Sequence, residues 1–281
     1  MLARFRRSST TIVLAASLEV SPWLLHAQNQ KTPTLGEILQ RLEANLKHYD
    51  TRLPSLFCEE EVVSKVEPGR PDQNTVTEAI FRLKRASNAD GTTSLVESRE
   101  VKSTNGKAAA KQDTESPTLL DGAFEGGLAV VSIDQAACIN YTLQRANKKR
   151  PAEPYTVRFA TVLTSQDSAR CLLSEKSSGT AVIDPASMEI THLEIRTPRH
   201  VIQPGYFYQS AVMGQRIITV DYAPVSLNGE TFWLPSMIDL QVTQGAGSFH
   251  KTVWSFHATY RNYHQLQVTS RIVHENERSV P

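Results

Sequence analysis

The sequence predicts a mostly β domain of the α+β kind, with one amphipathic helix at its start followed by an antiparallel sheet of consecutive strands. Two observations lead there. The apolar period is 3.6 over residues 34–48 and becomes 2 beyond Pro54. The runs that follow are strand-length, broken by Pro-Gly, Asp-Gly and Asn-Gly turns, and they alternate apolar with polar residues, so each strand has one packed and one wet face.

Taken in order, residues 1–27 read as a secretory signal peptide. Arg4, Arg6 and Arg7 make the charged region, Thr11–Leu18 the apolar region, and Leu25-His26-Ala27 the cleavage site. Glu19 interrupts the apolar run, which is too short to span a bilayer; an uncleaved anchor is the alternative. Residues 28–33 are a polar leader. Thr34 opens the helix with Glu37 three positions on, a capping box, and Leu35, Ile38, Leu39, Leu42 and Leu46 form its apolar stripe. Pro54 is the furthest point the helix can reach.

Strands are expected at 57–66, 75–85 and 94–102. Residues 103–116 read as a flexible surface loop, low in hydrophobicity. From Pro117 a second, covering helix would carry Leu119, Leu120, Phe124 and Leu128, although Gly122, Gly126 and Gly127 each weaken it by roughly 1 kcal/mol. A movable cover and an ordinary core helix both fit that segment. Strands resume at 137–144 and 155–163. Two hairpins follow, 179–197 around Asp184-Pro185-Ala186-Ser187 and 215–243 around Asn228-Gly229, the strongest short turn signal in the chain. A strand at 249–260, a bend at Arg261-Asn262 and a closing strand at 266–273 complete a single domain over 34–273, with 274–281 as a tail.

The chain carries 30 basic and 29 acidic side chains, and without residues 1–27 the balance is −1. Neutrality of that order leaves no electrostatic footprint for nucleic acid. No later segment has about 18 consecutive apolar residues, so the mature chain has no transmembrane helix. Export would let disulfides persist. Of the three cysteines, Cys138 and Cys171 lie in adjoining β-segments and are the favoured pair, with Cys58 left as a buried thiol.

No catalytic motif stands out. A serine nucleophile has no Gly-x-Ser-x-Gly elbow, and cysteine catalysis has no local signature. His250, His257 and His264 recur every seven residues, but on a strand that offset puts His250 and His257 on opposite faces, and no metal site is expected. Of Glu59, Glu60 and Glu61, only Glu59 and Glu61 share a face; a solvated face paired with Arg82 or Lys84 accounts for them. What remains is apolar surface. Phe232, Leu234, Ile238, Leu240 and Val242 lie along one strand face with only Ser236 polar, and Trp254, Phe256, Ala258 and Tyr260 along another. A curved sheet so lined can form an apolar hollow or simply a core.

The opening helix Thr34–His48, the hairpin GTAVIDPASMEITHLEIRT (179–197), the pair VDYAPVSLNGETFWLPSMIDLQV (220–242) and the closing ATYRNYHQLQVTSRI (258–272) resemble the bacterial envelope lipoprotein-carrier superfamily, which includes LolA, LolB and the RseB N-terminal domain. That resemblance implies an unclosed half-barrel sheet whose hollow binds acyl chains, and it implies no catalytic residue and no cofactor. The 103–116 segment and the cysteines depart from the carrier pattern. The expectation is a periplasmic or secreted, non-enzymatic protein whose partner is a lipid or an acylated envelope protein. Phe81, Leu83, Phe159, Phe232, Leu234, Ile238, Trp254 and Phe256 would line the hollow, and Leu120, Phe124 and Leu128 would cover it. The rivals are a protein-interaction or sensor module with a solid core, and an unrecognised hydrolase.

Overall fold

The computed structural model describes residues 33–66, 74–87, 93–109, 128–144, 153–162, 171–202, 210–246 and 249–266. The expected signal peptide, residues 1–27, lies outside them.

Helix α1 spans Leu35–Arg52. Its start is chemical: the Thr34 hydroxyl accepts from the Glu37 N–H while Glu37 Oε2 accepts from the Thr34 N–H at 2.6 Å. Ile38, Leu39, Leu42 and Tyr49 form the buried stripe. The carbonyls of its last turn, where intrahelical donors run out, are bonded from the sheet. Arg85 donates to Tyr49 O at 3.1 Å and Leu53 O at 2.9 Å, and also to Asp50 O.

The sheet is one antiparallel layer of eleven strands among the described residues. In chain order they are β1 Leu56–Val66, β2 Asn74–Ser87, β3 Thr93–Thr104, β4 Lys107–Ala108, β5 Ile139–Gln144, β6 Tyr155–Thr161, β7 Ser178–Ile183, β8 Ile190–Ile202, β9 Val212–Leu227, β10 Glu230–Ala246 and β11 Phe249–Gln265. The spatial order is β4-β3-β2-β1-β11-β10-β9-β8-β7-β6-β5, with unpaired edges at β4 and β5, so the sheet is not closed. Two meanders, β1–β4 and β5–β11, are joined where β1 pairs with β11, from Leu56 opposite Gln265 to Val66 opposite Trp254.

The hairpin at Asn228-Gly229 has both residues at positive φ, 53° and 80°, the geometry that matches the twist of its strands. Asp184 closes the β7–β8 connection, its Oδ2 accepting from the N–H groups of Ala186 and Ser187.

Three expectations need correction. Residues 103–109 are not loop: Thr104 ends β3, Asn105-Gly106 forms a second positive-φ turn and Lys107–Ala108 pairs back as β4. Asn105 ties that turn to β2 through Val76, accepting the Val76 N–H at 2.8 Å and donating to its carbonyl at 2.7 Å. Residues 110–116 are outside the description. Next, the chain does not break at Arg261-Asn262, because β11 runs on to Gln265. Asn262 at φ 56° provides the irregularity that lets Phe57 and Glu59 meet His264 and Arg261. Finally, Ser236 is not a polar interruption of a regular face. It sits in a β-bulge between Pro235 and Met237, and its hydroxyl donates to Asp221 O at 3.1 Å.

Candidate functional site

The residues expected to line a hollow are brought together, and they fill it. Phe81, Leu83, Phe159, Phe232, Leu234, Ile238 and Phe256 are all buried in one hydrophobic core, with α1 laid across Phe232 and Leu234; Trp254 is only half-buried at its margin. Tyr49 of α1 packs edge-on against Phe232 at 5.6 Å. Phe159 lies over Gly179, where any Cβ would meet its ring at 2.4 Å and Glu194 O at 1.9 Å, so only glycine fits that strand position. Of the covering residues, Leu120 and Phe124 fall outside the description. Leu128 is half-buried against the core.

Space remains in two crevices beneath α1 and in a polar recess of about 200 Å³ at its C-terminal end, lined by Arg52, Pro54, Leu227 and Glu230 among others. The two crevices share Leu46, Tyr49 and Leu128. The larger, about 30 Å³, is walled by Leu53, Leu83, Leu95, Leu234 and Pro235; the smaller, about 10 Å³, ends at Glu189 and Asn45. Pockets that hold organic ligands usually run to about 300–1,000 Å³, so these are seams beneath a closed helix.

The polar end of the seam is built from α1 and the β7–β8 connection. Asn45 Nδ2 donates to Met188 O at 2.9 Å, and Met188 itself sits at φ 58°. The next residue, Glu189, hydrogen-bonds the side chains of Tyr49 and Asn45, and burial pushes its carboxyl up to about 7. The Tyr49 hydroxyl also accepts the Trp233 N–H at 2.5 Å, a donor on the part of β10 that lies beyond the β11 pairing. Burial and the Glu189 carboxylate together hold the phenol well above its ordinary range. The strap at 130–132 is tied in by Glu43, which accepts from Ser132 Oγ, and by Tyr141, whose hydroxyl donates to Val130 O at 2.8 Å.

The second polar feature is a buried ion pair in the β1–β3 part of the sheet. Glu60 points inward on β1, where Arg99 reaches it from β3, Nε to Oε2 at 2.7 Å, with both side chains sealed from solvent at 0% and 4% exposure. The guanidinium stacks 5.0 Å over the Phe81 ring. Burial opposes the charge on Arg99, but the Glu60 carboxylate outweighs it and raises the guanidinium pKa. Strict alternation through Glu59-Glu60-Glu61 carried the signal, since an acid between two outward acids must face the core. The outward pair does not use Arg82 or Lys84. Glu61 meets Arg261 at 3.4 Å and Glu59 accepts from Asn262 at 2.9 Å, both on β11, while Arg82 pairs with Glu100.

The remaining candidates disperse. His257 pairs with Asp239 at 2.6 Å and His264 stacks on Phe57 at 5.2 Å; the side chain of His250 is outside the description. Among the described residues no group of three or more His, Cys, Asp or Glu side chains could hold a metal ion. Cys138 and Cys171 are joined by a disulfide, which ties the segment before β5 to the β6–β7 connection. Cys58 is a free, buried thiol, and burial, with Glu60 nearby, pushes it up to about 12. No helix among the described residues is long and apolar enough to cross a membrane.

No protein-family model and no curated protein matches the chain. Among solved structures it is similar to an outer membrane lipoprotein-sorting protein domain from Vibrio parahaemolyticus, at 10% identity over 87% of this chain and 97% of that one, with a TM-score of 0.36. It is also similar to a DUF1329 family protein from Desulfovibrio piger, at 7% identity over 83% and 95%, with a TM-score of 0.39. A LolA superfamily protein from Nitrosomonas europaea matches at 6% identity over 85% and 98%, with a TM-score of 0.33.

Proposed function

We propose that this chain is an exported, non-enzymatic envelope protein that holds an apolar chain of a lipid or acylated protein between α1 and the sheet. One observation carries the reading: the helix–sheet layer has an apolar seam walled by Leu53, Leu83, Leu95, Leu128 and Leu234, with Tyr49, Asp50, Asn45 and Glu189 as its polar lining. Each methylene that enters such a seam gains about 0.8 kcal/mol from leaving water. At about 30 Å³ the seam is the closed state, so uptake requires α1 to lift. Lifting α1 would break the ties of Asn45 to Met188, Tyr49 to Trp233 and Arg52 to Glu230, together with the bonds from Arg85 to the carbonyls at its C-terminal end. Export to the periplasm or beyond is supported by the leader at residues 1–27 and by a disulfide that a reducing compartment would not keep.

The small seam favours a second reading, an interaction module whose interior is solid core. Native mass spectrometry of the protein purified from a periplasm separates the two. A lipid-mass adduct removed by organic extraction supports the carrier. An apo mass that stays clean after incubation with envelope lipids supports the interaction module.

A further inference from the structure

We propose that the seam beneath α1 selects amphiphiles whose head group is cationic or neutral and rejects those with a carboxylate or phosphate head. This rests on the apolar-ligand reading above and adds the class of ligand to it.

The argument is one of charge complementarity. The two crevices share Leu46, Tyr49 and Leu128, and their described polar lining is Asn45, Tyr49, Asp50 and Glu189. Two of those four are acids, and among the described residues no lysine, arginine or histidine lines either crevice. The cations nearby already have partners, and Arg85 is also the counter-charge of Asp50, which leaves Glu189 as the acid that sets the selectivity. Arg85 is spread over the carbonyls of Tyr49, Asp50 and Leu53, Lys47 lies 3.4 Å from Glu43 on the exposed side of α1, and Arg52 pairs with Glu230. An anionic head lodged at the rim would therefore lose its water and meet carboxylates, a like-charge contact in a half-dry site. An ammonium would meet Glu189 as a counter-ion, with the Asn45 amide and the Tyr49 phenol beside it. A hydroxyl or amide head would find donors and acceptors and no opposing charge.

The titratable and charged groups around the crevices are Tyr49 and Asp50 on α1, Glu189 before β8, Glu43 of α1 and Arg85 of β2 acting on Asp50, and Tyr222 of β9 acting on Tyr49. The one positive charge among them, Arg85, faces Asp50. Burial leaves Glu189 largely protonated in mildly acidic buffer. An ammonium that pairs with its ionised form pulls that proton off, so affinity for the amine rises from pH 5.5 to 8, whereas affinity for an alcohol stays flat.

The test uses the full exported chain with three probes of equal length, dodecylamine, 1-dodecanol and sodium laurate, each below its aggregation threshold. Binding is read by native mass spectrometry and by the fluorescence of Trp233 and Trp254. The expected result at pH 7.5 is an affinity for dodecylamine about tenfold or more above that for laurate, the size of one desolvated opposite-charge contact. Glu189→Gln, which removes the charge at nearly the same volume, should reduce the advantage of dodecylamine over laurate to about threefold or less. Asp50→Asn is the second variant, expected to act in the same direction with a smaller effect. Laurate binding as tightly as dodecylamine, or an amine advantage that survives Glu189→Gln, overturns the head-group selectivity and leaves the apolar-ligand reading standing. No binding of any of the three overturns both.

Discussion

The two arms of the sheet obey the same alternation and bury different things. In the arm β1–β3 the core face carries Cys58, Glu60, Ser64 and Thr77 beside Phe81 and Leu83, and Arg99 reaches in across it. In the arm β6–β10 the middle of the core face is Val157, Phe159, Ala181, Leu193, Val220 and Ile238. Its polar groups gather toward one end, where Ser177 meets Thr197 at 2.8 Å and Glu175 holds His200 at 2.9 Å and Arg216 at 3.3 Å. A desolvated ion pair adds little net stability over apolar residues of the same size, so the first arm is no firmer for having one. What it supplies is register. Arg99 pairs across β2 with Phe81, and Phe81 with Cys58, so a one-residue slip of β3 would turn Arg99 outward and leave Glu60 buried without its counter-charge. The second arm specifies its register locally, through the Asn228-Gly229 turn and the Asp184 loop.

The sharpest way to break this comparison is Arg99→Ala. It leaves Glu60 uncompensated in the core and should cost about 3–5 kcal/mol by urea denaturation at pH 7. The double variant Glu60→Leu with Arg99→Met should recover most of that loss. If Arg99→Ala unfolded at the wild-type midpoint, the pair would have no structural role.

On the second arm the largest expected effect comes from the disulfide. Cys138 and Cys171 are 33 residues apart, and opening a loop of that length should lower stability by about 3–4 kcal/mol in the chain-entropy picture. Comparing unfolding of the oxidised protein with that of Cys138→Ala/Cys171→Ala measures it. Equal midpoints would mean that packing alone holds the β5–β6 edge.

The smallest effect is a pH dependence at the seam. The Glu189 carboxyl is raised by burial from its ordinary 4.5 to about 7. A carboxyl raised on folding contributes stability that is complete below the unfolded value and is lost as pH rises through the folded one. Stability should therefore fall between pH 4.5 and 7, by about 1 kcal/mol once solvent screening of a partly exposed group is allowed for. Glu189→Gln should flatten that slope in thermal melts across the range, and a slope unchanged by the variant would place its origin elsewhere.

Much of the fold was legible because its signals are local. The capping box at Thr34 and Glu37 needs four residues, and the Asn228-Gly229 turn needs two. The Asn105-Gly106 turn carried the same signal, but small polar residues on both sides hid the strand pairing that it starts. Of the candidate site, the apolar residues were readable as a set, since alternation alone puts Phe81, Phe159 and Phe256 on inner faces. The groups that give the site its chemistry were not. Glu189 follows a hairpin turn and becomes a rim residue only because α1 brings Tyr49 and Asn45 to it across more than a hundred residues of chain.

The sequence by itself determined the helix, the period of each strand and the tight turns, because these depend on backbone preferences within a few residues. Only the tertiary structure decided that β1 lies against β11, that Glu60 meets Arg99, and that the expected hollow is a narrow seam beneath a helix. The physical reason is that alternation says which face of a strand is buried and is silent about which strand comes next to it. The volume left between a helix and a sheet is a small difference between large packed volumes, set by side chains from distant parts of the chain.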